Sequence, residues 1–246
     1  MRRLPQTEAL IERNPVDCST SPLPPDTVSG NRARDFNRWA NAAAVLLALN
    51  GNQDAVNASG RALEKFSDSA ALWYISGKAL MMMDDPSEAE KALLRSAALE
   101  ANVATWSELA NLYRVQRRRL AAINALERLA VISPNRPPIL VLLGHTYLEA
   151  ANPQEAIDAF DRAEKSLPSE AANPALAEAD HGRAAAWAML GDLTKALSFE
   201  EKAVRIAPQN ASFWTELARL YGLQGRKAEA EKADEHANAL AKLVAP

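Results

Sequence analysis

A single cysteine, Cys18, stands in 246 residues, so no internal disulfide can hold this chain together. That fits a reducing compartment, and any cysteine-poor protein equally. Long apolar runs are missing as well: nowhere do 18 consecutive apolar residues occur, which excludes a membrane-spanning helix. Neither sign of charge dominates. The formal charge is −3 and the pI about 5.7, leaving no electrostatic footprint for nucleic acid. The start, Met1-Arg2-Arg3-Leu4, opens like a signal peptide, but no apolar stretch follows the arginines. Asp17 precedes Cys18, where a lipoprotein signal wants a small uncharged residue. The expectation is a soluble, cytoplasmic chain without membrane insertion.

Chemistry-bearing residues are scarce too. The three histidines, His145, His181 and His236, are far apart in sequence and no cysteine cluster accompanies them. HExxH, a glycine-rich phosphate loop and GxSxG are all absent. Pairs such as Glu88/Glu90 and Glu229/Glu231 fall near helix starts, where acids suit the helix dipole. A catalytic centre needs a nucleophile or metal, a base and a stabiliser that converge. The sequence is therefore read as non-catalytic, with no cofactor and no metal site.

What is present is a period. Tryptophan recurs at Trp39, Trp73 and Trp106, in steps of about 34 residues, and again at Trp214. Leu140 stands one step after Trp106 and Asp180 one step before Trp214, so the whole irregularity falls between Leu140 and Asp180. A fixed period of this length means stacked supersecondary units, because one short unit cannot bury its own apolar face. The tryptophans are read as packing residues, since burying a large side chain contributes about 1.5–3 kcal/mol.

Residues 1–35 differ from the rest. They hold Pro5, Pro15, Pro22, Pro24 and Pro25 and no aromatic residue, which predicts a linker or tail that is partly disordered. Thr7–Arg13 is its one candidate helix. From Phe36 onward the pattern is helical and paired. Asp85-Pro86-Ser87-Glu88 reads as an N-cap, a first-turn proline and a glutamate reaching back, and Asn152-Pro153-Gln154-Glu155 repeats that device. Gly191-Asp192 and Gly225-Arg226 break the last two pairs at the same place, and Pro134, Pro168 and Pro208 close repeats. Six extra residues fall around Ser169–Leu176, with Asn173-Pro174 predicted to start the next helix early.

Trp106, Leu109, Ala110 and Tyr113, followed by Ala122, Leu126 and Pro134, resemble the tetratricopeptide repeat signature. So do Leu143, Gly144, Tyr147, Ala156, Phe160, Ala163 and Pro168; Trp214, Leu217, Ala218, Tyr221, Gly225 and Ala230; and Trp73, Gly77, Leu80, Ala89 and Leu93. The resemblance implies an all-α fold, a right-handed α-solenoid of stacked antiparallel helix pairs. Six repeats are placed at 36–69, 70–102, 103–136, 137–170, 177–210 and 211–244. Asp180, in the aromatic slot of the fifth, departs from the pattern.

The resemblance also implies where function sits: a concave groove lined by the first helix of each repeat. Counting past each packing slot gives Tyr74, Lys78, Met82, Asn111, Arg114, His145, Glu149, His181, Met189 and Arg219, with Met81, Ser107, Val115, Val141, Leu148, Ala185, Thr215 and Leu223 on the same stripe. Such a lining suits a peptide or a partner helix, and methionines adapt to varied side chains. The carboxylate clamp of chaperone-tail-binding arrays is absent, because Ala40 and Ala44 occupy its first-repeat positions. Lys78, Arg114 and Arg219 suggest an acidic partner, weakly. The leading reading is a protein-interaction scaffold, a monomer in preference to a self-associating chain. Two alternatives are carried. One is the periplasmic tail of a membrane-bound glycan ligase, glycosyltransferase or other bacterial envelope assembly. The other, an RNA-binding helical repeat, sits poorly with the acidic pI and the Trp/Gly/Tyr pattern, and Gln116-Arg117-Arg118-Arg119 reads as a solvated turn.

Overall fold

Paired helical segments with tight breaks become, in the computed structural model, a run of helices and no strand among the described residues, 26–167 and 173–244. The helices are α1 (Asp26–Ala48), α2 (Asn52–Leu63), α3 (Ala70–Met82), α4 (Pro86–Leu99), α5 (Val103–Val115) and α6 (Arg119–Ile132). They continue as α7 (Pro137–Glu149), α8 (Pro153–Lys165), α9 (Pro174–Met189), α10 (Leu193–Ile206), α11 (Ala211–Leu223) and α12 (Lys227–Val244). The chain divides into two compact units, Met1–Glu108 and Leu109–Pro246.

Within every helix pair the break is built the same way. One residue takes positive φ: Asn50, Asp84, Arg117, Ala151, Gly191 and Gly225, evenly spaced but for one wider step between Ala151 and Gly191. The residue after it donates its backbone N–H five residues back, as Gly51 does to Leu46, Asp85 to Leu80, Arg118 to Tyr113, Asn152 to Tyr147, Asp192 to Trp187 and Arg226 to Tyr221, all at 2.8–3.0 Å. The positive-φ residue itself bonds three residues back. Together these are the two bonds of the Schellman C-cap, which satisfies carbonyls the helix end would otherwise leave open.

The residue that closes one helix also begins the next. The Asp85 side chain accepts from the Glu88 N–H at 3.2 Å, and Asp192 does the same for Lys195 at 3.0 Å. Glu88 does not reach back; its carboxylate accepts from Lys91 at 2.6 Å. Asn152 departs from the expected device and makes no cap bond. Its backbone angles (φ −110°, ψ 71°) nearly match those of Asp85 (−110°, 75°), so the difference lies in the side chain and not in the backbone.

In the first unit, α1 packs on α2 and α3, α2 on α3, and α3 on α4. Helix α1 begins at Asp26, ahead of the repeat start expected at 36. Residues 26–35 follow the last tail proline, Pro25, and contain none themselves, so nothing forbids the helix. The candidate helix Thr7–Arg13 and the rest of 1–25 lie outside the described residues. Phe36, Trp39 and Ala40 pack on Ala62, Phe66 and Leu72, and Leu46 and Leu47 on Ala43, Ala58 and Ile75. Ser96, fully buried, donates to the Ala70 carbonyl at 2.8 Å and pairs with Thr105 at 3.0 Å.

The second unit is held by close helix approach around one ring. Phe160 of α8 is completely buried between Gly144 of α7 and Gly182 of α9. A Cβ at Gly144 would lie 2.5 Å from this ring, and one at Gly182 only 2.2 Å away. Further along, Phe213, Leu217 and Leu220 of α11 close a core with Ala184 of α9 and Ala196, Leu197, Ala203 and Val204 of α10.

The irregular fifth pair contains buried charge. Asp180 is 3% exposed and Arg183 1%. Arg183 donates to Asp180 at 2.6 Å, to Asp161 at 2.7 Å, to Glu164 at 2.5 Å and to the Phe160 carbonyl at 3.2 Å. Burial pushes the Asp180 carboxyl upward while the guanidinium opposes that shift. Asn173 caps α9 by accepting from the Ala175 N–H at 2.9 Å, with Pro174 in the first turn, as expected. Helix α9 runs 16 residues where α3, α5, α7 and α11 run 13. Pro168 and most of the six-residue insertion lie outside the described residues.

The tryptophans do more than fill space. All five are half-buried rather than fully enclosed. The Trp73 indole N–H donates to the Ser67 carbonyl at 2.9 Å, and Trp214 repeats the bond to Pro208 at 2.8 Å, each six residues back.

The turns and the ring set the cost of substitution. Ala151→Gly should stabilise the chain by about 1 kcal/mol, because an L-residue in the left-handed region costs roughly 1–2 kcal/mol. Gly191→Ala, with open space around its Cβ, should lose a similar amount in chemical denaturation. Gly182→Ala should cost about 1–3 kcal/mol by overpacking, and Phe160→Leu added to it should recover part of that loss.

Candidate functional site

The expected groove residues divide between the two units. In the first, Tyr74 and Lys78 are half-buried on α3 and Met82, at its end, is 49% exposed. Lys78 Nζ sits 2.8 Å from Glu108 Oε1 and 3.5 Å from the Tyr74 hydroxyl. That bond to Glu108 raises the lysine pKa and neutralises its charge within the protein.

In the second unit Asn111, Arg114 and Glu149 are exposed. Met189 and Arg219 line one open cleft together with Leu148, Ala185, Ala188 and Leu223. Every one of these residues comes from a first helix: α7, α9 or α11. Met189 is 50% and Leu223 55% exposed. Arg219 is held by Glu216 one turn earlier on α11, at 2.8 and 2.5 Å, which also raises its pKa. Two of the three cations read as favouring an acidic partner are thus already paired inside the protein. Only Arg114 makes no ion pair among the described residues.

The two groove histidines sit in different electrostatic settings. His145 lies edge-on to Phe160 at 5.2 Å, with Glu178 Oε2 4.0 Å from its Nε2. Burial holds its pKa below the ordinary 6.5 despite Glu178. His181 stacks on Phe213 at 4.7 Å and shares Nδ1 between both oxygens of Glu200, at 2.9 and 3.0 Å. Burial again works against the charged ring, but the bond to Glu200 prevails and the His181 pKa is raised. Glu200 is fully buried, and burial raises its own pKa.

Sequence reasoning missed the acids around these groups. Glu200 follows Leu197 by three residues and precedes Val204 by four, which places all three on the buried face of α10. Glu216 stands three before Arg219, the spacing of a helical ion pair. Glu178 carried no such signal. The basic run behaves as read: Arg117 is the turn residue, and Arg118 stacks on Tyr113 at 4.6 Å and donates to Gln116 at 3.2 Å.

Helix pairs closed by one repeated turn, with small residues facing large ones across each pair, define an all-α helical-repeat protein. The Tetratricopeptide repeat profile matches residues 41–104 and 141–211, and a second profile of the same description matches 199–232. The chain belongs to the tetratricopeptide repeat family. Among solved structures it is similar to MamA, at 23% identity and TM-score 0.60, covering 68% of this chain and 94% of that one. It is also similar to a tetratricopeptide repeat protein from Parabacteroides merdae, at 17% identity and TM-score 0.64, covering 84% and 80%. YrrB, described as a tetratricopeptide repeat protein with an unusual peptide-binding site, matches at 17% identity and TM-score 0.59 over 75% and 93%. At these identities the likeness is one of fold. No curated protein matches the chain in sequence. No helix among the described residues is long and apolar enough to cross a membrane.

The histidines predict a two-sided pH dependence. His145, with a lowered folded pKa, contributes stability that is lost as pH falls below 6.5. His181, with a raised folded pKa, contributes stability that is present below 6.5 and lost as pH rises through its folded value. Melting temperature followed across pH should drop more gently on the acid side in His145→Gln and on the alkaline side in His181→Gln.

Proposed function

We propose that this chain is a non-catalytic interaction scaffold that captures a peptide or partner helix along the exposed face of its first helices. The observation that carries this reading is the shared cleft of α7, α9 and α11, where Met189 and Leu223 stay half-exposed at the end of helices whose other faces are packed. Exposed apolar groups gathered in a concave site, rimmed by polar ones, mark a place for another molecule. Arg219 supplies a polar group in that cleft, and the reading extends the face to Asn111, Arg114, His145 and Glu149, which are exposed or half-buried. The peptide-binding site described for YrrB, which shares the fold, lends the reading support.

The test is a photo-crosslinking residue placed at Met189 in the intact protein, compared with one at exposed Arg205 on α10. Crosslinked partner is expected from Met189 and not from Arg205. Asn111→Ala combined with Glu149→Ala should abolish that capture while melting stays unchanged, because exposed substitutions shift stability by only about 0.5 kcal/mol. Equal adducts from both positions, or full capture by the double variant, would remove this face from the account.

A further inference from the structure

The turn residue gives each first helix a common register. Two positions ahead of it, the second unit carries Val115, Glu149, Met189 and Leu223. Val115 is 76% exposed, Met189 50% and Leu223 55%. One exposed aliphatic side chain is ordinary on any protein surface. Three at a single register position, two of them in one cleft with Leu148, form an apolar row interrupted by one acid.

That acid is uncompensated. Glu149 is exposed and makes no ion pair among the described residues. Glu178, with its side chain 46% exposed, has His145 as its nearest cationic candidate, 4.0 Å away. Burial keeps His145 neutral at neutral pH, so it offsets neither carboxylate. Arg219 is occupied by Glu216, and His181 by Glu200. Glu178 and Glu149 both act on His145, and of His181 and Arg114, which oppose them, only Arg114 is without an acidic partner among the described residues.

We propose that the segment captured here carries a lysine or arginine between two aliphatic side chains. One aliphatic group lies against Val115, the other enters the Leu148–Met189–Leu223 cleft, and the cation faces Glu149 with Glu178 beyond it. This rests on the groove reading above and adds a sign to it: the preference is for basic segments, not acidic ones. Complementary charge of this kind sets which partner is accepted more than how tightly it is held.

The probe is a displayed library of random dodecapeptides selected on the full chain. Selection on the wild type should enrich sequences with a basic residue flanked by aliphatic ones. Selection on Met189→Asp should enrich none of them. On the double variant Glu149→Lys, Glu178→Lys the basic preference should vanish, and a wild-type-selected peptide should bind about tenfold more weakly, as expected for reversing two partly exposed pairs. Enrichment of aliphatic peptides without a basic preference, or one that survives the charge reversal, would overturn the proposal and leave the groove standing. If the peptides enriched on the wild type are enriched equally on Met189→Asp, or if none is enriched, the groove reading falls and this proposal with it.

Discussion

Everything in this chain is indexed to one backbone constraint, the left-handed residue that ends each first helix. A helix end leaves carbonyls without partners, and the two bonds made around that residue satisfy them while reversing the chain. Because the reversal has the same geometry each time, the second helix leaves in the same register relative to the first. Positions counted back from the turn then recur in space as well as in sequence. The aromatic slot lies eleven residues before it, at Trp39, Trp73, Trp106, Leu140, Asp180 and Trp214. The exposed row lies two before it. The packed slot and the exposed row are therefore set by one feature, on opposite sides of the same helices.

How much of this could be read from the sequence depends on whether a residue acts through position or through its neighbours. The tryptophan period, the proline and glycine breaks and the early start of α9 are positional, and they carry over into the structure. Side-chain direction is not positional. Asp85 and Asn152 occupy equivalent places with matching backbone angles, yet only Asp85 caps its helix. Charge is worse still. Lys78 and Arg219 look like free groove cations in the sequence, but Glu108 of α5 binds the first and Glu216, one turn away on α11, the second. The register of the first helices was legible; which of their cations are paired was not, because Glu108 and Glu216 stand outside the positions counted.

Arg183 shows what the fold tolerates when the pattern is broken. A fully buried guanidinium is costly unless every donor finds an acceptor, and here three carboxylates and one carbonyl surround it. Removing one partner from such a group is far more damaging than never having had it. The cluster joins α8 to α9 next to the Phe160 clasp, so the most demanding polar contact and the tightest apolar one lie side by side. Each limits how far the other can move.

Part of the one long step in the period lies at the start of α9. Measured back from Gly191, helix α9 ends where its counterparts end but starts three residues earlier. Three of the six extra residues lengthen the start of the helix, and Met189 keeps its register with the turn. The early start also changes what a side chain in the aromatic slot can bond to. Trp73 and Trp214 each donate to a carbonyl six residues back, at Ser67 and Pro208, in the connection before the helix. Six residues before Asp180 is Pro174, which already belongs to α9, so its carbonyl is committed to the helix and no acceptor is free for an indole. A tryptophan there would lack the bond made by Trp73 and Trp214, as Trp106 does, whose buried Nε1 has no hydrogen-bond partner. The slot instead holds Asp180, whose partner Arg183 lies one turn further along the same helix and fills the space with its own contacts. The irregular repeat changes its packing chemistry and leaves its exposed face in line with the others.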